Sequence, residues 1–153
     1  MPTDGTPGTA ALDGDTLARL AIDALERTAF VLADPCDAPE SLPSADVFAQ
    51  IEFHGSEHGG VDLCASRGFT RNLASSILGC DAAEVTDAQG DEALRELANI
   101  LGGSVIYALG GEKCTFSLGL PRLGSSGEAS GPSCTLDAEG ERLEIRCHHR
   151  LAA

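Results

Sequence analysis

The chain reads as an α+β protein, a two-layer α/β arrangement in which an antiparallel-rich sheet packs against three main helices. Three observations predict it. Two alternating apolar segments flank a turn-rich stretch near residue 55, helix-period segments lie on both sides of that pair, and the last third alternates again around a Gly/Ser-rich loop. The resulting order is helix, two strands, two helices, three strands, which is not the regular strand–helix alternation of a parallel βαβ chain. At 153 residues the chain fits one domain with a core of its own. No short-period repeat divides it.

Residues 1–14 read as a disordered acidic leader and residues 15–153 as the single domain. The leader has no positive start and no apolar run, so it does not resemble a secretory signal. Asp15 or Thr16 caps a first helix whose apolar side is Leu17, Leu20, Ile22, Leu25, Ala29 and Leu32, until Pro35 prevents continuation. The segment CDAPESLP is then a loop. In DVFAQIEF, Val47, Ala49, Ile51 and Phe53 alternate against Phe48, Gln50 and Glu52, and in GVDLCAS Val61, Leu63 and Ala65 are in phase. Between them HGSEHG supplies turn chemistry, so the pair reads as a β-hairpin.

Residues 68–79 read as a second helix with Thr70 near its N-cap, Gly79 as its stop and Leu73, Ile77 and Leu78 at helical spacing. After the acidic connector CDAAEVTDAQG comes a third helix, residues 90–110, with Asp91 and Glu92 near the positive end of its dipole. CTFSLGLP reads as a strand ended by Pro121, and RLGSSGEASGP as a low-complexity loop. The remaining SCTLDAEGERLEIRCHH reads as two strands around a turn at 138–140, with Leu143, Ile145 and Cys147 facing one way.

Composition excludes several classes of function. Ten Lys plus Arg against 24 Asp plus Glu give a formal charge of −14, and no basic stripe interrupts the acidity, which argues against nucleic acid. No apolar stretch approaches the length that spans a bilayer, so no membrane partner is expected and the protein reads as soluble. Six cysteines at 36, 64, 80, 114, 134 and 147 form no CxxC pair and read as reduced, largely buried thiols. His54, His58, Cys147, His148 and His149 raise the question of a metal or redox module. The first two frame a turn, however, and the others follow one another along a strand where neighbours face opposite ways. Ser125 and Ser126 lie in the Gly/Ser loop with no His or Asp pattern around them, so nucleophilic catalysis is not expected.

The third helix carries the chemistry. At roughly 100° per residue, Glu92, Glu96, Asn99 and Gly103 fall on one narrow stripe, while Leu94, Leu97, Leu101, Val105 and Ala108 lie opposite. An acid and an amide three residues apart, above a glycine that lets another surface come close, suit the positioning of a water molecule. Ile100, Ile106 and Tyr107 flank the stripe and form an expected apolar rim.

With ELANILGG around Glu96 and Asn99, an acidic helix start before it and the separate helix ending in Ile77, Leu78 and Gly79, the chain resembles the CheC/CheX/FliY phosphatases of bacterial chemotaxis, CheX most closely. The order of elements matches from about Leu17 onward, and the motif-level likeness lies in the central third. Where the family commonly has Ser or Asp four residues before the Glu, this chain has Glu92, with Asp91 one place further back. Pro121 stands about where the family has a proline downstream of the Asn. A second site on the first helix would need an amide where Ala29 follows Glu26, so the chain resembles the one-site CheX arrangement.

What the resemblance implies is hydrolysis of the aspartyl phosphate of a phosphorylated CheY-like response regulator. Asn99 is then the residue that orients the attacking water, and Glu96 contacts the regulator through the lysine beside the phosphorylated Asp. Glu92, Ile100, Gly103, Ile106 and Tyr107 are the expected partner-binding residues. The chain needs no cofactor of its own, since Mg2+ is expected on the partner. A homodimer is the expected state. The alternative is a non-catalytic CheX-like module that binds a response regulator or a signalling complex.

Overall fold

The computed structural model describes residues 12–55, 57–110, 116–124 and 131–151. Leader residues 1–11, the hairpin tip at Ser56, Gly111, Cys114 and the pair Ser125 and Ser126 lie outside the described residues.

Helix α1 (Gly14–Ala29) opens where the Asp13 carboxylate accepts the Thr16 backbone N–H at 2.9 Å. This satisfies one of the first-turn donors that the helix leaves unpaired. Asp13 is therefore the cap, in place of Asp15 or Thr16, and the same hydrogen bond holds its carboxyl below the ordinary value. Leu12 is buried and Gly14 opens the helix, so residues 12–14 belong to the fold and not to the leader. The helix ends at Ala29, well before Pro35. Phe30 turns into the left-handed region (φ 56°, ψ 31°), and the N–H groups of Phe30 and Val31 donate back to the Glu26 and Leu25 carbonyls at 3.2 Å.

The buried side of α1 is Leu17, Ala18, Ala21, Ala24, Leu25 and Ala29. Four of these six are alanine, which lets the helix lie close to its neighbours and turns Leu20 and Ile22 to its margins, where they are only partly buried. Leu32, expected on the same side, follows the helix and is exposed. The next segment is not entirely loop. β1 (Asp34–Pro35) pairs with a later strand, and residues 39–41 make one 3-10 turn. That turn is pinned by the Arg142 guanidinium, which donates to the carbonyls of Pro39 and Pro43 and to Glu144.

β2 (Val47–Gly55) and β3 (Glu57–Ala65) form the antiparallel hairpin that alternation predicts. α2 (Arg67–Leu78) starts from Ser66, with Thr70 inside its first turn donating to the Arg67 carbonyl at 2.8 Å. It stops at Gly79 in the left-handed conformation. α3 (Asp87–Gly110) is followed by β4 (Phe116–Leu118), β5 (Arg122–Leu123), β6 (Ser133–Ala138) and β7 (Glu141–Leu151). β5 lies in the segment read as loop and pairs with β2.

The strands form one sheet in the order β1-β6-β7-β3-β2-β4, with β5 sharing the β2 edge, and every pair is antiparallel. Register aligns the apolar positions into rows across it. Ile51, Val61 and Cys147 form one row; Ala49, Leu63, Ile145 and Cys134 form the next; Val47, Ala65, Leu143 and Leu136 form the third. All but the half-buried Cys134 are buried, on the face that the helices cover. The thiols at 36, 64, 80 and 134 are free, and among the described cysteines Cys147 alone is fully buried. Cys36 and Cys80 lie in connections and Cys64 on the outer sheet face, so burial is less than the apolar sequence around them suggested. Among the described residues no helix is long and apolar enough to cross a membrane.

Candidate functional site on the third helix

The helix that carries the acid and the amide begins a turn earlier than its apolar period shows. Thr86 and Gln89 form a reciprocal capping box. The Thr86 N–H donates to Gln89 Oε1 at 2.9 Å, and the Gln89 N–H donates to Thr86 Oγ1 at 3.1 Å. Asp87 therefore occupies the first turn, and Asp91 and Glu92 lie in the second. Next to this start, Gly90 lets α2 come close, since a Cβ there would stand 2.9 Å from Thr70 Oγ1. Arg67 of α2 pairs with Asp91 at 2.7 Å, and Arg71 with Asp87 at 3.3 Å. The two helices are joined at their N-terminal ends by packing and charge together.

Further along, α3 buries Leu94, Leu97, Ala98, Leu101 and Val105 against the sheet. This fixes the opposite stripe in the outward direction. Gly102 is on the buried side, where an added Cβ would come within 2.8 Å of Ile51 Cγ2 and 3.0 Å of Leu118 Cδ1. At Gly103 an added Cβ would meet nothing within 4 Å. The two adjacent glycines thus do different work, one admitting the sheet and one leaving open space in front of the polar stripe. Ala108, expected on the buried side, is exposed, because it sits at the margin between the two faces.

The acids of α3 divide in the same manner. Asp87 and Asp91 are held by the arginines of α2, and Glu92 is held by Arg95, whose Nη2 donates to both carboxylate oxygens at 2.7 and 2.9 Å. Glu96 is exposed and has no ionic partner among the described residues. Asn99, one turn on, is half-buried, and its amide makes no hydrogen bond to another described residue. The uncommitted polar groups of the stripe are the carboxylate and the amide. A carboxamide held on a rigid helix offers an acceptor oxygen and a donor nitrogen to a water or ligand approaching over Gly103.

Around this pair, Tyr107 is 65% exposed, while Ile100 and Ile106 are partly buried and packed on the core. Of the expected rim, Tyr107 stands out as free surface, and the two isoleucines show only part of their side chains. On the other flank of Glu96 an open groove of about 240 Å³ runs between α2 and α3. Ala74, Ile77 and Leu78 line one wall, and Ala93 with the stems of Glu92 and Glu96 lines the other. Ile77 and Leu78 stand at helical spacing with Leu73, yet while Leu73 is buried they are 51% and 53% exposed. Ile77 continues the angular face of Leu73, but among the described residues nothing covers it or Leu78 on the last turn of α2. The signal in the sequence is an apolar pair directly before a helix-stopping glycine.

On α1, Glu26 is exposed and Ala29 is buried, so the corresponding pair presents no amide. His54 and His58 lie at the hairpin end, whereas Cys147 faces the core and His148 follows it on the other face. Among the described residues no cluster of three His, Cys, Asp or Glu has the arrangement to hold a metal. Burial pushes the Cys134 thiol up to about 11, and burial, with Glu144 adding to it, raises that of Cys64.

Fold and site together define a two-layer α+β domain that displays an acid and an amide one turn apart on the open face of a helix laid across its sheet. The family model described as chemotaxis phosphatase CheX matches residues 47–138, more than half of the 153, and the chain belongs to that family. Among solved structures it is similar to the chemotaxis protein CheX of Desulfovibrio desulfuricans, with a TM-score of 0.69 and 15% identity over 88% of this chain and 96% of that one. It is also similar to CheX from Vibrio vulnificus, with a TM-score of 0.68 and 16% identity over 89% and 95%. The CheX-CheY-BeF3-Mg2+ complex from Borrelia burgdorferi matches with a TM-score of 0.61 and 15% identity over 88% and 95%. At these identities the likeness is one of fold. No curated protein sequence matches the chain.

Proposed function

We propose that this chain hydrolyses the aspartyl phosphate of a CheY-like response regulator, with Asn99 orienting the attacking water and Glu96 contacting the regulator. The observation that carries the proposal is the division of labour on α3. Every other acid of α3 is held in an ion pair, while Glu96 and Asn99 stand without a partner among the described residues beside the open space at Gly103. Membership of a chemotaxis phosphatase family, and a similar structure in which CheX is bound to CheY with BeF3 and Mg2+, support the same reading.

The reaction asks little covalent work of this chain. Water attacks phosphorus as the bond to the aspartyl oxygen breaks, releasing inorganic phosphate and leaving a free carboxylate on the regulator. The Asn99 carboxamide oxygen accepts a hydrogen bond from that water and aims its lone pair at phosphorus, so the contribution is one of position. Glu96 meets the regulator lysine next to the phosphorylated Asp. An exposed pair of this kind gives about 0–1 kcal/mol, so it fixes register more than affinity. Mg2+ belongs to the regulator. Tyr107, Gly103 and the exposed parts of Glu92, Ile100 and Ile106 form the surrounding contact, and the chain acts as a homodimer.

The test is phosphate release from a CheY-like regulator charged with acetyl phosphate, with and without the chain. The expected result is faster release with the wild-type chain and, for Glu96→Ala, a KM raised by up to about fivefold, the equivalent of ~1 kcal/mol. A regulator that binds the chain yet loses phosphate at its unassisted rate makes this a non-catalytic binding module.

A further inference from the structure

We infer that the groove between α2 and α3 is a docking pocket of the same site, taking an apolar side chain of the receiver domain with a basic residue of that domain set against Glu96. The inference rests on the phosphatase reading above and adds a recognition surface to it. Ile77 and Leu78 are neighbouring large aliphatic residues, both about half exposed, on a chain whose other aliphatic side chains largely form its core. The residues one turn before them on α2 and opposite them on α3 are alanines, Ala74 and Ala93, so the wall is hollowed and not filled. About 240 Å³ is enough for one aliphatic side chain with room at its mouth.

Position commits the occupant. Glu96 belongs both to the groove and to the polar stripe, so a protein that presents a phosphoryl group to Asn99 lies over the groove as well. Ala93 precedes Asn99 by six residues of α3, about 9 Å along the axis at 1.5 Å per residue. An interface of ordinary size covers about 800 Å² on each partner, a disc of about 16 Å radius. The groove falls well inside that disc. Charge points the same way. Arg95 neutralises Glu92 at 2.7 Å, whereas Glu96 at the lip has no cation among the described residues, and the chain as a whole carries −14. The matching surface is an apolar side chain beside a Lys or Arg, a pattern that a second copy of this acidic chain supplies poorly.

The test uses Ile77→Gln and Leu78→Gln, singly and together, because glutamine keeps helix propensity and both positions are exposed. With the phosphorylated regulator as substrate, the double variant is expected to raise KM at least tenfold with kcat within twofold of wild type, and Ile77→Met to restore KM. Affinity for the BeF3-activated regulator is expected to fall by the same factor. If the wild type hydrolyses phosphate and the double variant keeps its KM within twofold, the pocket is refuted while the phosphatase reading stands. If the wild type binds the activated regulator without hydrolysis, the phosphatase reading fails, and the binding loss of the double variant alone decides the pocket. If the double variant loses dimer mass in sedimentation but keeps its affinity for the regulator, the occupant is a second copy and the inference is wrong.

Discussion

Gly102 and Gly103 invite the same substitution and predict opposite results. Alanine in place of glycine inside a helix gains about 0.8–1 kcal/mol from backbone propensity. At Gly103 nothing opposes this, since an added Cβ meets no atom within 4 Å, and Gly103→Ala is expected to be more stable by about 1 kcal/mol. At Gly102 the same methyl group lies 2.8 Å from Ile51 Cγ2 and 3.0 Å from Leu118 Cδ1. Carbon atoms settle near 3.5–4.0 Å, so α3 must move from the sheet by several tenths of an ångström. Ile51 is fully buried and β-branched, so it has little freedom to yield. An overpacking cost of about 1–3 kcal/mol then cancels or exceeds the propensity gain, leaving Gly102→Ala between neutral and about 2 kcal/mol less stable. For a domain of this size each kcal/mol is about 2–4 °C in midpoint. Calorimetry should therefore show Gly103→Ala melting about 2–4 °C above wild type and Gly102→Ala at or below it. Equal upward shifts would refute the packing of α3 on β2 and β4 described above.

The remaining predictions concern the end of α1 and the thiols. Phe30 holds a left-handed conformation at 84% exposure, which costs a side-chain-bearing residue about 1–2 kcal/mol, so Phe30→Gly should stabilise by about 0.5–1 kcal/mol after the added freedom of the unfolded chain is subtracted; a lower urea midpoint would contradict this. With its thiol raised to about 11, Cys134 stays protonated at pH 8, and mass-resolved alkylation of the native chain should label it far more slowly than in urea and speed up only as pH climbs toward that value. Labelling of Cys134 at the same rate in native and unfolded chain would count against its placement.

Much of this architecture is legible in the residues themselves. The hairpin is visible because Val47, Ala49, Ile51 and Phe53 alternate strictly, and the polar stripe is visible because α3 buries a continuous Leu-rich face. What escapes pattern reading has physical causes. β1 and β5 are two residues long, too short to show a period. The start of α3 lies in the Thr86 to Gln89 capping box, before the apolar positions begin; its T-x-x-Q spacing is readable, but only when caps are weighed as heavily as apolar spacing. Asp13 and Asp15 are equally good caps by type, and the burial of Leu12 selects the earlier one. Periodicity places Ile77 on the inner face of α2 but says nothing about whether a neighbour reaches that far along the helix. Likewise, two adjacent glycines look alike until Ile51 and Leu118 are found against one of them.

The candidate site is legible to a different depth. Spacing puts Glu92, Glu96 and Asn99 on one stripe, but only the arginines decide which acids remain available. Arg67 and Arg71 lie some twenty residues away in sequence, and Arg95 is the near neighbour that takes Glu92.

The most direct measurement is single-turnover decay of the phosphorylated regulator under saturating wild-type chain and saturating Asn99→Ala. If Asn99 positions the water, the variant decays about 10²-fold more slowly, the scale of losing one well-placed orienting contact, while its affinity for the BeF3-activated regulator stays within about twofold. Decay at the wild-type rate in Asn99→Ala would contradict the account at its centre.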